Sequence, residues 1–215
     1  MKLKSFALPR YTFWAVIKQF VKVSAQGIEN IPKEDPFILV SNHASYLDPL
    51  VLGFSCEHRH ISFMAKAELF KIPLLNWFIR HYGAFPIKRG LVDQFAIQEF
   101  KNQIFVKRKP VLVFPEGTRT ITGDLQPAKK GIGYLISMVK IPVIPAYISG
   151  TFECLPKGKW IIKPGKVIVI FGSEIDLKDL LMLEMNRNTY LKISNRIMDE
   201  IKKLKIFLNS KTSNF

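Results

Sequence analysis

Cysteine is nearly missing from this chain: Cys56 and Cys154 are its only two in 215 residues, and they form no Cys-x-x-Cys pair. That argues against a disulfide framework or a thiolate metal site and makes a reducing compartment the default, with both thiols isolated and buried. Long apolar runs are missing too. A spanning helix needs about 20 apolar residues, whereas the longest run here, residues 141–148, is broken by Pro142 and Pro145. The first residues carry Lys2, Lys4 and Arg10 but no extended apolar stretch or small-residue cleavage site. They do not read as a secretion signal, and the chain is expected not to span a membrane. Acidic residues are few: 17 Asp and Glu stand against 32 Lys and Arg, a formal charge of +15. Such an excess predicts an anionic partner, which charge alone leaves open among nucleic acid, an anionic membrane and a phosphorylated substrate.

What is present is material for one domain, with 48% apolar residues and 17 Phe. Phe13, Trp14, Ile17, Phe20 and Val21 recur at three- and four-residue steps, so residues 9–21 are expected as an amphipathic helix with Pro9 in its first turn. Arg10, Lys18 and Lys22 make it basic. Such a helix either lies in a bilayer interface, about 5–10 Å deep, or packs its apolar face on the core; the periodicity is the same in both cases. The chain accordingly divides into residues 1–22, an N-terminal membrane-surface helix, and residues 23–215, the main domain. Residues 37–40, 61–65, 83–87, 111–114, 143–148 and 167–171 read as strands. Residues 48–56, 68–81, 94–107, 131–139 and 177–208 read as helical, the last with a break near 186–188. Within 68–81, Leu69, Phe70, Leu74, Trp77 and Phe78 are expected to face inward. Strands alternating with helices predict an α/β domain whose central sheet is largely parallel or mixed. In such sheets functional residues gather beyond the carboxyl ends of the strands. Three polar, irregular stretches fall there: residues 41–48, 88–90 and 115–119.

The first stretch holds Asn42-His43-Ala44-Ser45-Tyr46-Leu47-Asp48. Five residues apart on a helix, His43 and Asp48 would point about 140° away from each other, so they meet only if the chain bends between them. At a strand-to-helix turn the carboxylate could fix the imidazole tautomer and leave the other nitrogen to take a proton; equally, Asp48 could be a helix cap and His43 an incidental loop residue. The second stretch, Gly83-Ala84-Phe85-Pro86-Ile87-Lys88-Arg89, ends in two cations. The Arg89 fork suits a phosphate, although a solvated charge pair fits the same letters. The third, Phe114-Pro115-Glu116-Gly117-Thr118-Arg119, runs a buried strand into a tight turn. The His58-x-His60 pair could join His43 and Asp48 on a metal, but no further ligand stands at suitable spacing. No helix-turn-helix, RRM or zinc-finger signature accompanies the positive charge. His81 fits a helix end as a C-terminal cation.

Together these stretches closely resemble the motifs of the glycerolipid acyltransferase family. Residues 42–48 resemble its His-x4-Asp motif, 83–89 its second motif ending in Arg, 114–120 its Phe-Pro-Glu-Gly-Thr-Arg motif, and 141–145 its proline-bracketed fourth. All four stand in family order, and the resemblance covers roughly residues 23–172. Lys88 replaces a frequent acidic residue and Thr120 a frequent Ser, and the N-terminus is too short for the transmembrane segments many relatives carry. The resemblance implies transfer of an acyl group from an acyl carrier protein or coenzyme A thioester to 1-acyl-sn-glycerol 3-phosphate, or to another lysophospholipid or aminolipid precursor. It implies His43 as general base and Asp48 as its orienting partner, with Arg89, Glu116, Gly117, Thr118 and Arg119 at the phosphorylated acceptor. Pro145 would shape the apolar floor, and Lys66, Lys129 and Lys130 would be further phosphate contacts or solvated charges. No metal and no cofactor are implied. The expected setting is the cytoplasmic face of the cell's inner membrane, held peripherally on anionic lipid.

Overall fold

The computed structural model describes residues 14, 15, 17–56, 59–87 and 94–212. The strands form one sheet: β1 (Val21–Gln26), β2 (Ile38–Ser41), β3 (Ser62–Lys66), β4 (Ala84–Ile87), β5 (Val111–Val113), β6 (Val143–Ser149) and β7 (Gly165–Phe171). Their order is β1-β7-β6-β2-β5-β3-β4, and every neighbouring pair is parallel except β6 with β7. Helices flank it: α1 (Asp48–Ser55), α2 (Pro73–His81), α3 (Gln94–Lys101), α4 (Lys130–Val139), α5 (Thr151–Cys154), α6 (Lys178–Leu181) and α7 (Arg187–Thr212). The predicted α/β architecture with a mixed central sheet is therefore the one observed.

β2 lies in the middle because Ile38, Leu39 and Val40 all lose their solvent contact, and only a strand covered on both faces can bury a continuous apolar run. One layer packs α1 through Val51 and Leu52 and α2 through Ile79 onto the sheet, together with Ile17. The opposite layer packs Phe100 of α3, Ile132 and Ile136 of α4, and Ile193, Ile197 and Ile201 of α7. The four-residue steps in α7 place its apolar side chains on one stripe. α4 and α7 approach closely at Gly133, where an added Cβ would stand 2.0 Å from the Tyr190 carbonyl oxygen. Ser194 of α7 accepts the Gly133 N–H there at 3.1 Å.

Three expectations are corrected. Val21, placed at the end of the N-terminal helix, is the first residue of β1. The alternation of Val21, Val23 and Ala25 fits a strand whose one face is covered, and pairing with β7 satisfies its backbone. The helix expected over 68–81 breaks at Ile72, which is extended because it precedes Pro73; a short 3-10 turn, Ala67–Lys71, precedes it. This break turns the register of α2, so Leu74 and Trp77 stand 79% and 56% exposed instead of inward. The helix expected over 94–107 is α3 followed by a π-helical turn, Asn102–Val106.

Of the N-terminal stripe, Pro9 and Phe13 lie outside the described residues. Trp14 stacks on Phe54 of α1 with ring centroids 4.3 Å apart, and Ile17 is buried, whereas Phe20 is half-exposed. His81 ends α2, and Cys56 and Cys154 are both buried. No described helix is long and apolar enough to cross a membrane.

Candidate active site

The chain leaves β2 at Ser41 and turns over the carboxyl end of the sheet. Asn42 anchors this exit: its amide nitrogen donates to the Ile148 carbonyl at 2.9 Å and its amide oxygen accepts the Ile148 N–H at 2.9 Å. Ser45 fixes the far side of the turn by donating its hydroxyl to the Leu155 carbonyl at 2.7 Å. The bend brings His43 back onto Asp48, the first residue of α1, with Nδ1 2.8 Å from Oδ2. The same Oδ2 accepts the N–H groups of Ala44 and Ser45, each at 2.7 Å. Asp48 is thus at once a cap-like brace of the loop and the partner of His43, two roles the sequence left as alternatives. An ionised carboxylate only accepts hydrogen bonds, so Nδ1 of His43 carries the hydrogen and Nε2 holds a lone pair. Asp48 is fully buried, while the His43 side chain keeps 14% of its exposure.

The turn after β5 completes the arrangement. Phe114 stacks on the His43 ring at 3.9 Å between centroids, and the Thr120 N–H donates to the His43 carbonyl at 2.9 Å. Gly117 supplies a left-handed backbone (φ 68°) that a residue with a side chain resists. Glu116 points inward, not at solvent: Oε1 accepts the His43 N–H at 3.3 Å and Oε2 accepts from the Gln126 amide at 3.2 Å. Gln126 also reaches the Thr118 carbonyl at 3.4 Å. Burial pushes the Glu116 carboxyl up to about 7, although the His43 N–H and the Gln126 amide favour its charged form.

Of the three residues that follow Glu116, Gly117 is exposed, while Thr118 and Arg119 are half-buried. The Arg119 guanidinium lies over the Tyr46 ring, 3.4 Å from its centroid, in a cation–π contact. Lys129 borders the turn, its N–H donating to Pro115 at 2.8 Å. Lys66 is exposed and ion-paired with Glu68 at 3.6 Å, and Lys130 is exposed. Lys88, Arg89 and His58 lie outside the described residues. Pro145 is buried within β6 on the face shared by Val143 and Tyr147, in the layer of α7. Phe114 and the His43 loop residue Leu47 belong to the other layer. Among the described residues no group of three His, Cys, Asp or Glu side chains is placed to hold a metal ion. Sequence reasoning missed Asn42, Gln126 and Tyr46. Asn42 stands inside a motif, but its partner is 106 positions away.

The family model for acyltransferases matches residues 22–149. A chloroplastic 1-acyl-sn-glycerol-3-phosphate acyltransferase of Brassica napus is 36% identical over 178 residues, covering 76% of this chain and 50% of that protein. A 1-acyl-sn-glycerol-3-phosphate acyltransferase of Streptococcus pneumoniae is 31% identical over 177 residues, covering 82% of this chain and 63% of that one. The chain therefore spans only half to under two thirds of the length of these relatives. The crystal structure of the 1-acyl-sn-glycerophosphate acyltransferase PlsC from Thermotoga maritima superposes with a TM-score of 0.69 at 29% identity, covering 95% of this chain and 84% of that one.

Proposed function

The chain belongs to the acyltransferase family, and from that premise we propose that it moves a fatty acyl group from a thioester to the free hydroxyl of 1-acyl-sn-glycerol 3-phosphate, giving phosphatidic acid. The observation that carries this reading is the 2.8 Å contact of His43 Nδ1 with a buried Asp48 that also holds the loop's N–H groups. Nε2 of His43 takes the hydroxyl proton as that oxygen attacks the thioester carbonyl. The new C–O bond forms, the C–S bond breaks, and the imidazolium returns the proton to the departing thiolate. Asp48 keeps the ring in the required tautomer and stabilises the imidazolium between these steps. Transfer is direct, and no cofactor enters it.

Arg119, with Thr118 and Gly117 beside it, meets the acceptor phosphate, and Arg89 is assigned to the same group. Glu116 positions His43 from behind instead of touching the acceptor. Acyl carrier protein and coenzyme A are both anionic thioester carriers suited to a chain of charge +15. The enzyme works peripherally on an anionic membrane surface, at the inner face of the cell membrane, with residues 1–22 contributing to attachment.

The test is a matrix of the purified protein with acyl carrier protein and coenzyme A thioesters against lysophosphatidate, other lysophospholipids and an aminolipid precursor. Lysophosphatidate should be the acceptor used fastest, and His43→Ala should lower turnover by about 10²–10⁴-fold with an unchanged circular dichroism spectrum. Full turnover in a folded His43→Ala variant, or indifference to the acceptor phosphate, would overturn the reading.

A further inference from the structure

Two runs of chain at the end of the sheet that carries His43 lift apolar side chains into solvent. β6 is parallel to β2 and β7 antiparallel to β6, so residues 155–163, which join them, lie at the His43 end. The base of this loop is fixed. Leu155 is buried and takes the Ser45 hydroxyl, and the Lys163 N–H closes onto the Cys154 carbonyl at 2.8 Å. Its tip is exposed: Trp160 and Ile161 are 85% and 81% exposed, with the Trp160 ring facing that of Tyr46 at 6.4 Å between centroids. β3 also ends on this side, being parallel to β5, and leads into Ile72 and Leu74, 53% and 79% exposed. The strand order sets β2 and β5, from which the two site loops depart, between these protrusions.

Cations surround both. Lys157, Lys159 and Lys163 lie on the loop and Lys66 and Lys71 beside the second protrusion, all exposed. Against them stand Glu153 and Glu68, the latter paired with Lys66. We infer that this end of the sheet is a docking face for an anionic bilayer, with the Trp160–Ile161 tip as its wedge. This deepens the membrane-surface reading of the proposed function and gives it specific residues.

Adjacent Trp and Ile ringed by lysines match an interface in which the apolar groups enter the headgroup boundary and each nearby cation adds attraction to the anionic lipid. An anionic carrier protein would meet the lysines but leave Trp160 and Ile161 against a charged surface. Trp14, offered by the sequence as an anchor, is already stacked on Phe54, so lipid contact falls to other residues. Docked this way, the site faces the acceptor's own phase from between two wedges.

The chain has three tryptophans, so Trp14→Phe with Trp77→Phe leaves Trp160 as the sole reporter. Its emission should shift to the blue on phosphatidylglycerol vesicles and stay unchanged on phosphatidylcholine vesicles. Trp160→Ser with Ile161→Ser should weaken co-sedimentation with the anionic vesicles roughly tenfold, and Lys157→Glu with Lys159→Glu should weaken it further at low salt than at high. Ile206→Ser with Phe207→Ser, on the basic last helix, should leave it unchanged. An unshifted Trp160, equal sedimentation of the tip variant, or a loss confined to the last-helix variant would overturn the inference. So would a tip variant that loses acyl carrier protein in a pull-down but keeps lipid. Each readout is of binding alone, so failure of the acyl-transfer reading leaves this result standing, and the reverse holds too.

Discussion

Asp48 is tied by one oxygen and not by the other: Oδ2 takes three hydrogen bonds, while Oδ1 is buried without a partner among the described residues. Asp48→Asn can therefore keep its oxygen on His43 and the two N–H groups and place its amide nitrogen where Oδ1 stood. The loop should persist, but the negative charge that stabilises an imidazolium is gone. The expected outcome is a fall in kcat of about 10²–10⁴-fold with KM little changed; a fall confined to KM would mean that Asp48 serves binding instead. Glu116 gives a pH prediction. Burial pushes its folded-state carboxyl up to about 7 from the ordinary 4.5, so the folded chain binds this proton more tightly than the unfolded one. Stability from this group is complete below about 4.5 and is lost as pH rises through about 7, on the order of 3 kcal/mol in all. Glu116→Gln cannot titrate. Urea denaturation from pH 5 to 8 should show the parent losing stability relative to the variant, and parallel curves would contradict the burial argument. At this scale the sequence showed that His43 and Asp48 need a bend to meet, and the strand-to-helix turn provides it. It could not show that Glu116 faces inward, because that depends on the His43 N–H, 73 residues earlier, being brought beside it.

Elements were legible where a pattern was both periodic and uncontested. β2, β5 and β6 are continuous apolar runs, and α7 is a long stripe of four-residue steps. β1 was hidden because Val21 satisfies a helical spacing with Ile17 as well as a strand alternation with Val23, and only the open edge of β7 decides between them. α2 was placed correctly but turned wrongly, since Pro73 resets its start and with it every side chain that follows. Close packing between elements was invisible, and Gly133 shows why: nothing in its neighbourhood in sequence announces that Tyr190 will lie against it. Gly133→Ala must push α4 and α7 apart or strain both, costing about 1–3 kcal/mol. Gly131 in the same helix meets nothing within 4 Å of an added Cβ, so Gly131→Ala should be neutral or stabilise by about 0.4–1 kcal/mol through the unfolded chain. Thermal melts of the two variants would check this, and equal shifts would mean that the helix pair yields freely at Gly133.

Over the whole molecule, the net charge was evident from the letters, but its distribution was not. A charge of +15 acts on an anionic surface before any contact forms, and its range is set by salt: the Debye length is about 10 Å at 0.1 M and about 3 Å at 1 M. The His43–Asp48 contact behaves otherwise. It is short, with Asp48 fully buried, and buried pairs are screened far less than exposed ones. Salt should therefore separate encounter from chemistry. On phosphatidylglycerol vesicles carrying lysophosphatidate, raising salt from 0.05 to 0.5 M should raise the apparent KM roughly tenfold while kcat holds. On lysophosphatidate dispersed in neutral detergent the rise should be smaller, leaving only the attraction between the arginines and the acceptor phosphate. A kcat that falls with salt in both settings would mean that exposed charges enter the chemical step. A KM indifferent to salt on vesicles would mean that the excess of lysine does not serve a lipid surface.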